Sequence, residues 1–349
     1  MKIAQVVGYS IIGNGALRAA KEYCRNIERG KFEFHFIIYR NSPYSFEREI
    51  LEFGGKQIKA SLWELFGVFK KEKYDIVHSH LNTLNVFVMF FAWLAGVKVR
   101  ISHSHSTMGK GEPLKNLIKS TLKPFTKIFV TIFFACSKHA GKWLFGNSQF
   151  VVFKNAIDTE NFAFSQTARN EVRQELGILE GQFVLGHVGR FEPQKNHRFL
   201  LRIFEEILKI KPDSVLLLVG EGSLQEEIRK IANSNVKFLN ARNDVHRIYN
   251  AMDAFVLPSI YEGLGIVGVE AQANGLPCFF SKEVPNEAGI TDCTSFIGLD
   301  ESAKKWAQDI LTKKNTDRVG YSQNVMDAGY DIKIEAKKLE KFYEGVVRC

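Results

Sequence analysis

Short apolar runs alternate with stretches of helical spacing along the chain. Lys2–Gly8 (KIAQVVG), Glu33–Tyr39 (EFHFIIY), Asp75–His78 (DIVH), Lys98–Ser102 (KVRIS), Ile128–Cys136 and Phe150–Lys154 (FVVFK) read as strands, and Ala16–Glu28 has helical composition. The pattern then restarts. Phe183–Gly189 (FVLGHVG), Ser214–Gly220 (SVLLLVG), Val236–Leu239, Ala254–Leu257 and Pro277–Ser281 read as strands, with a helical stretch over Asn196–Ile210. Strands separated by helices predict βαβ units around a parallel sheet. A run such as SVLLLVG, almost without polar residues, suits a strand buried on both faces. The expected fold class is therefore α/β, with two successive doubly wound halves. A hinge is expected over Asn155–Arg173, where no period is visible, giving domains 1–162 and 163–327. The tail Ile332–Val347 is amphipathic, with Ile334, Leu339, Phe342, Val346 and Val347 on its apolar face.

Length agrees with two domains: the chain has 349 residues. Apolar residues are 45% and charged residues 24%, which excludes wholesale disorder, a collagen-like repeat and a coiled coil. Five cysteines (Cys24, Cys136, Cys278, Cys293, Cys349) are odd in number and scattered, which argues against a disulfide framework or a zinc site and for a reducing cytosol. The start of the chain has no signal-peptide pattern. The longest apolar run, Leu84–Val97, is shorter than the ~20 residues of a bilayer span. It is expected to be a buried helix of an α/β layer, with a membrane-touching segment as the alternative.

Charge changes the picture more than composition does. The net charge is +9, yet residues 1–160 carry 23 Lys and Arg against 12 Asp and Glu, while residues 161–349 carry 24 against 26. Residues 81–154 hold ten basic residues and a single acid, Glu112. Such asymmetry points the first half toward an anionic partner.

Candidate chemistry lies in loops that follow strands, where open parallel sheets bind ligands. Gly13-Asn14-Gly15 precedes the helix at Ala16. Its glycines permit close backbone approach to an anion at a helix N-terminus, or form a tight turn with no ligand. It is not G-x-G-x-x-G, because position 18 is Arg. The loop Gly189–Asn196 (GRFEPQKN) sets Arg190 and Lys195 beside another helix start, suiting a diphosphate or forming a solvated basic loop. In Glu262-Gly263-Leu264-Gly265-Ile266-Val267-Gly268-Val269-Glu270, two carboxylates lie eight residues apart around bared backbone. That pattern suits a polyol such as a sugar or ribose, or one exposed and one capping acid. His78, His80, His103 and His105 form two i, i+2 pairs at strand ends, each pair on one face. Zinc lacks a Cys or acid at suitable spacing, and hydrogen-bonded sheet histidines are the competing reading. No D-x-D pair occurs, which argues against a divalent-metal diphosphate site.

The run Asp253–Pro277, DAFVLPSIYEGLGIVGVEAQANGLP, resembles the E-x7-E signature of the retaining glycosyltransferases of family four, closest to their exopolysaccharide and capsule subgroup. YDIVHSHL (Tyr74–Leu81), GVKVRISHSH (Gly96–His105), VVFKNAID (Val151–Asp158), HVGRFEPQKN (His187–Asn196) and LLLVGEG (Leu216–Gly222) resemble further landmarks of that family in order. The resemblance implies a GT-B fold: two Rossmann-like domains across a cleft, with a last helix, about 328–349, crossing back to the first domain. It implies a nucleoside-diphosphate sugar donor, usually UDP-linked, and neither cofactor nor metal. By resemblance Arg190 and Lys195 hold the diphosphate, Glu262 touches the donor sugar and Glu270 binds the ribose. Gly189, Gly263, Leu264 and Gly265 line the donor, Gly15 approaches the phosphates, and His105 lies near the reacting sugar, with His103 as second choice. Catalytic roles fall to Glu262, Arg190, Lys195 and His105.

Three positions depart from the family pattern. Ala156 and Asn240 stand where Gly is common, and Gly268 sits inside the helix between the glutamates, at about 1 kcal/mol relative to Ala. The expected function is sugar transfer to a hydroxyl of a lipid-linked saccharide in surface polysaccharide synthesis. The enzyme is expected in the cytoplasm, peripheral on the inner face of the cell membrane. A soluble acceptor, an epimerase and a non-catalytic nucleotide-sugar-binding subunit are the alternatives. Nucleic acid is not expected as a partner, since no recognised motif accompanies the basic region. The membrane contact is expected through 81–154, above all the basic amphipathic stretch Glu112–Lys123, with Lys115, Lys119 and Lys123 in a row.

Overall fold

Seven parallel strands carry the first unit, Met1–Ile157 with Asp331–Cys349, of the computed structural model. They are β1 (Lys2–Val6), β2 (Glu33–Tyr39), β3 (Lys56–Ala60), β4 (Ile76–Ser79), β5 (Val99–Ser104), β6 (Ile132–Ala135) and β7 (Val151–Val152), in the order β3-β2-β1-β4-β5-β6-β7. The second unit, Asp158–Tyr330, has six: β8 (Val184–Val188), β9 (Val215–Val219), β10 (Val236–Leu239), β11 (Ala254–Leu257), β12 (Cys278–Ser281) and β13 (Thr294–Ile297), in the order β10-β9-β8-β11-β12-β13. The described residues are 1–7, 15–40, 47–105, 113–313 and 317–348.

Both sheets are doubly wound. The strand order reverses between β1 and β4 in one and between β8 and β11 in the other, and such switch points open a crevice at the carboxyl ends of the strands. The central strands β9 (VLLLV) and β11 (AFVL) are buried at every residue, as apolar runs covered by helices on both faces must be. The two strands that the pattern of apolar positions did not predict, β3 (KQIKA) and β13 (TSFI), are both sheet edges and only partly buried. Exposed Lys56 and Lys59 on β3 also discourage edge-to-edge pairing.

The last helix, Ile332–Arg348, packs in the first unit. Ile332, Ala336, Leu339 and Tyr343 are buried against Leu17, Ala20 and Tyr23 of the helix Gly15–Asn26. Their spacing places them on one stripe, and each large side chain there contributes about 1.5–3 kcal/mol by burial. Phe342 and Val346 pack at its margin, whereas Ile334 and Val347, expected on the apolar face, are 42% and 38% exposed. A helical face is narrower than the set of apolar residues on it.

The expected hinge ends earlier than its lack of period implied. Residues Gln166–Glu175 form a helix, N-capped by Ser165, whose Oγ accepts from the Ala168 N–H at 3.2 Å. Its period is hidden because arginines share its inward face with Val172. Arg169 reaches Asp253 at 2.5 Å, and the Arg173 guanidinium donates to the carbonyls of Ala251, Leu179 and Gln182.

In the long apolar run, the helix Asn85–Leu94 buries Asn85, Val88, Met89 and Ala92, while Trp93 and Leu94 are about half exposed. The expectation of a buried helix therefore holds for one face only. Among the described residues no helix is long and apolar enough to cross a membrane. The basic stretch forms the helix Pro113–Leu122 and then a 3-10 segment, Lys123–Lys127, that contains Pro124. Glu112 lies outside the described residues.

Candidate functional site

In the second unit the chain leaves β8 at Val188 and crosses the switch point before the helix His197–Ile210 begins. Two glycines after β9 make room for this crossing. A Cβ on Gly220 would stand 2.1 Å from the Gly189 carbonyl oxygen, and one on Gly222 would stand 2.6 Å from the backbone of Phe191. The Gly189 N–H donates to Val219 at 2.9 Å and the Phe191 N–H to Glu221 at 3.0 Å. This pinning turns Lys195 back toward the loop after β11. Its Nζ lies 2.5 Å from Glu262 Oε1, Ser259 Oγ donates to the same oxygen at 2.7 Å, and Gln194 Nε2 reaches Oε2 at 3.3 Å. Glu262 is 8% exposed, and three donors with one positive charge offset the cost of burying its carboxylate. Arg190 is half-buried and has no ion-pair partner among the described residues. The two residues expected to serve donor sugar and diphosphate thus hold one another.

Gly265 takes φ 83° as N-cap of the helix Ile266–Ala273, a conformation that favours glycine, and Leu264 before it is buried. Glu270, in the second turn, is fully buried, with the Tyr249 hydroxyl 2.9 Å from its Oε2. Gln194 and Ser259 lie within GRFEPQKN and the run Asp253–Pro277 without being singled out there, and Tyr249 lies in no motif at all. The helix glycine now has an explanation: a Cβ on Gly268 would stand 2.5 Å from Phe280 Cζ, so its absence lets the helix lie close on β12. Ala156 does not take a positive φ, and Asn240 accepts from Gln225 at 3.0 Å. A second pair of histidines flanks this site. His187 Nδ1–H donates to the Val256 carbonyl at 2.8 Å, and burial pushes its pKa down to about 4. Burial lowers His197 to about 2, aided by His187 and Lys195.

At the switch point of the first unit stand His78, His80, His103 and His105. The i, i+2 pairs do share one face, and the rings of His103 and His105 stack at 4.0 Å and those of His78 and His80 at 4.3 Å. His78 Nε2 lies 3.1 Å from His103 Nδ1, and His80 Nδ1 lies 2.8 Å from His105 Nε2. Burial holds all four neutral: His78 falls to about 3 and His105 to about 4, with His80 and His103 well below the ordinary value. The backbone N–H of His105 donates to Asn82 Oδ1 at 3.1 Å. Nitrogens of His78, His80 and His103 lie within 4.8 Å of one another, a separation a metal ion could bridge. Gly15 begins the first helix with open space where a Cβ would be, while Gly13 and Asn14 lie outside the described residues.

Comparison with known proteins bears on what these two sites do. Residues 168–324 match the family described as Glycosyl transferases group 1. The chain is 34% identical to the putative glycosyltransferase EpsF of Bacillus subtilis, over 85% of this chain and 83% of that protein. It is 32% identical to a UDP-Gal:alpha-D-GlcNAc-diphosphoundecaprenol alpha-1,3-galactosyltransferase of Escherichia coli, over 63% of this chain and 61% of that one. Among solved structures, Anabaena HepE in complex with UDP-glucose superposes with a TM-score of 0.81 at 17% identity, covering 99% of this chain and 100% of that one. The glycosyltransferase WaaG of lipopolysaccharide biosynthesis superposes at 0.74 with 15% identity, covering 97% and 99%. These likenesses establish the GT-B fold.

Proposed function

Since the chain belongs to the glycosyl transferases of group 1, the family-four enzymes whose motifs it carries, we propose that it is a retaining enzyme that moves a sugar from a UDP-linked donor to a hydroxyl of a lipid-linked saccharide. The observation that carries this reading is the cationic loop at the β8–β11 switch point, which holds Arg190 and the Lys195 that pairs with Glu262. Breaking the sugar–phosphate bond leaves negative charge on the diphosphate. Fixed cations stabilise that charge in the transition state without reorganisation, and in this proposal they do so without a metal. Lys195 is preorganised by Glu262, and an arriving diphosphate competes for it. Glu262, freed in part, then positions the sugar, and Glu270 holds the ribose. The departing phosphate accepts the proton of the attacking hydroxyl on the same face, which gives retention without a covalent intermediate. The relatives quoted above, one of them named for a UDP-galactose donor and a diphosphoundecaprenol acceptor, support this choice of substrates.

The reading includes a cytoplasmic, peripheral place on an anionic membrane. Supporting it, Trp93, Leu94, Leu117, Ile118, Phe125 and Ile128 are each about half exposed or more within the basic stretch 81–154. Exposed apolar side chains within a lysine-rich stretch suit an interface of lipid headgroups, each lysine near the surface contributing about 1 kcal/mol.

Two experiments test the proposal. A panel of nucleotide sugars is incubated with the protein and a short-chain lipid diphosphate saccharide, and product and released nucleotide are read together. UDP release coupled to an α-linked product is expected, and product of inverted configuration or dependence on an added divalent metal contradicts it. Binding to anionic liposomes, weakened by salt and absent for neutral ones, is expected. Lys115, Lys119 and Lys123 together replaced by Glu should abolish sedimentation while donor hydrolysis persists.

A further inference from the structure

Gln5, buried near the carboxyl end of β1, joins two hydrogen-bonded strings of rings. Its Nε2 lies 3.1 Å from Tyr343 Oη, and Tyr343 Oη lies 2.7 Å from His78 Nδ1. His78 Nε2 then meets His103 Nδ1 at 3.1 Å. On the other side Gln5 Oε1 lies 2.8 Å from His80 Nε2, and His80 Nδ1 meets His105 Nε2 at 2.8 Å. Neutral imidazole has one N–H and one lone pair, and every link needs one donor and one acceptor. The protons in the two strings are therefore coupled.

With the amide nitrogen of Gln5 toward Tyr343, the Tyr343 hydroxyl donates to His78 Nδ1. His78 then donates Nε2–H to His103, which keeps its own proton on Nε2. The amide oxygen accepts the His80 Nε2–H, and His80 Nδ1 accepts the His105 Nε2–H. All four rings carry the proton on Nε2. Turning the amide over reverses every link and moves all four protons to Nδ1. One side-chain rotation thus decides four tautomers.

The far ends of the strings distinguish the two arrangements. His103 Nε2 and His105 Nδ1 are buried atoms that make no well-aligned hydrogen bond among the described residues, though the Phe153 carbonyl lies toward the one and the Asn155 side chain toward the other. Burial lowers the proton affinity of His103, and the backbone carbonyl of Phe153 works against that lowering. A carbonyl only accepts, so Phe153 favours the proton on His103 Nε2, whereas the Asn155 side chain favours one on His105 Nδ1; with the two ends opposed, the Gln5 amide, whose Nε2 donates to Tyr343, selects the first arrangement. His105 then presents Nδ1 as an acceptor, against the pull of the Asn155 side chain, which favours a protonated His105.

We propose that Gln5 is a positioning residue for His105: acting through His80, it holds His105 as the Nε2–H tautomer, with Nδ1 as the acceptor of the ring. Its catalytic half rests on the reading of His105 as a group beside the transferred sugar. A ring fixed in one tautomer offers the same acceptor in every molecule, whereas a mixture offers it only in a fraction.

The test uses the full chain labelled with 15N, without donor, and reads by long-range 1H–15N correlation which nitrogen of each ring is protonated. Nε2–H is expected for all four rings of the parent. Gln5→Met should give mixed tautomers at His80 and His105, and Tyr343→Phe should do so only at His78 and His103. Thermal melting checks that both variants fold. Nδ1–H at His105 in the parent, or an unchanged His105 in folded Gln5→Met, overturns the proposal. So does stoichiometric Zn2+ binding by the parent, because His78 and His80 spend both nitrogens in the relay. In turnover, Gln5→Met should lower kcat in proportion to the Nε2–H fraction lost at His105, about twofold for an even mixture, with the donor KM unchanged. Gln5→Glu, which still accepts from His80, should recover most of it. Shifted tautomers with unchanged kcat overturn the catalytic half and the place of His105 in the reaction, and leave the relay standing.

Discussion

The two units put opposite solutions at equivalent places. At the β8–β11 switch point an ion pair, Lys195–Glu262, lies with a half-buried Arg190. At the β1–β4 switch point four imidazoles, an amide and a phenol lie together without a formal charge. Both are buried, so both face the cost of removing polar groups from water. The second unit meets it by opposing charges with three donors on one carboxylate. The first meets it by leaving each ring neutral and giving nearly every nitrogen a partner. A charged cradle suits a diphosphate, and a neutral one suits hydroxyl groups, whose recognition needs direction more than field.

The sharpest way to break this contrast is to remove the charge. Arg190→Ala and Lys195→Ala should each lower kcat/KM by a hundredfold or more, about 3 kcal/mol in the transition state. Near-normal turnover in both would mean that the cations do not serve the diphosphate. Lys195→Ala also leaves Glu262 buried and uncompensated, which costs about 3–5 kcal/mol of stability. Lys195→Met with Glu262→Gln removes both charges and should regain stability on thermal melting without regaining activity.

The two glutamates give a finer division. Glu270→Gln should raise the Kd for UDP by about tenfold with a smaller effect on kcat, because a ribose contact is made in ground and transition states alike. Glu262→Gln should mainly lower kcat. An unchanged UDP affinity in Glu270→Gln, measured by calorimetry, would remove the ribose from Glu270.

Acid should act on the neutral site first. Unfolded histidine titrates near 6.5, whereas folded His78 and His105 do so at about 3 and about 4. As pH falls below about 6.5 the unfolded chain takes up protons that the folded rings refuse. Stability is thus complete above that pH and declines toward pH 4, by about 1.4 kcal/mol per pH unit for each ring. Hydrogen exchange at pH 5 against pH 7 should show protection at β4 and β5 falling more than at β8 and β11, where two depressed histidines stand against four. Equal loss in both units would show that the relay is not the acid-sensitive element.

The smallest effect concerns how Glu270 is seated. Gly268→Ala gains about 1 kcal/mol in helix propensity but drives a methyl into Phe280, for which overpacking costs about 1–3 kcal/mol. A slightly lower Tm is expected, relieved when Phe280→Leu is added. A higher Tm for Gly268→Ala alone would mean that the helix can move away from β12 freely.

The sequence by itself determined the fold class, most of the strands and the family. Burial on both faces leaves continuous apolar runs such as VLLLV, and E-x7-E, GRFEPQKN and the glycine pair of LVGEG are local in the chain. It also marked the histidines, because an i, i+2 pair at a strand end is a property of a few neighbouring residues. The edges β3 and β13 escaped notice because a strand covered on fewer sides needs fewer apolar residues, and the helix Gln166–Glu175 because arginines carry its inward face. Only the tertiary structure decided what the marked residues do to one another. Lys195 and Glu262 are separated by three helices and three strands, and Gln5 and Tyr343 come from the first strand and the last helix, with His80 and His105 just past the ends of the fourth and fifth strands. Hydrogen bonds act over about 3 Å and at defined angles, so partners far apart in the chain become legible only when parallel strands and a returning helix bring their side chains to one end of a sheet.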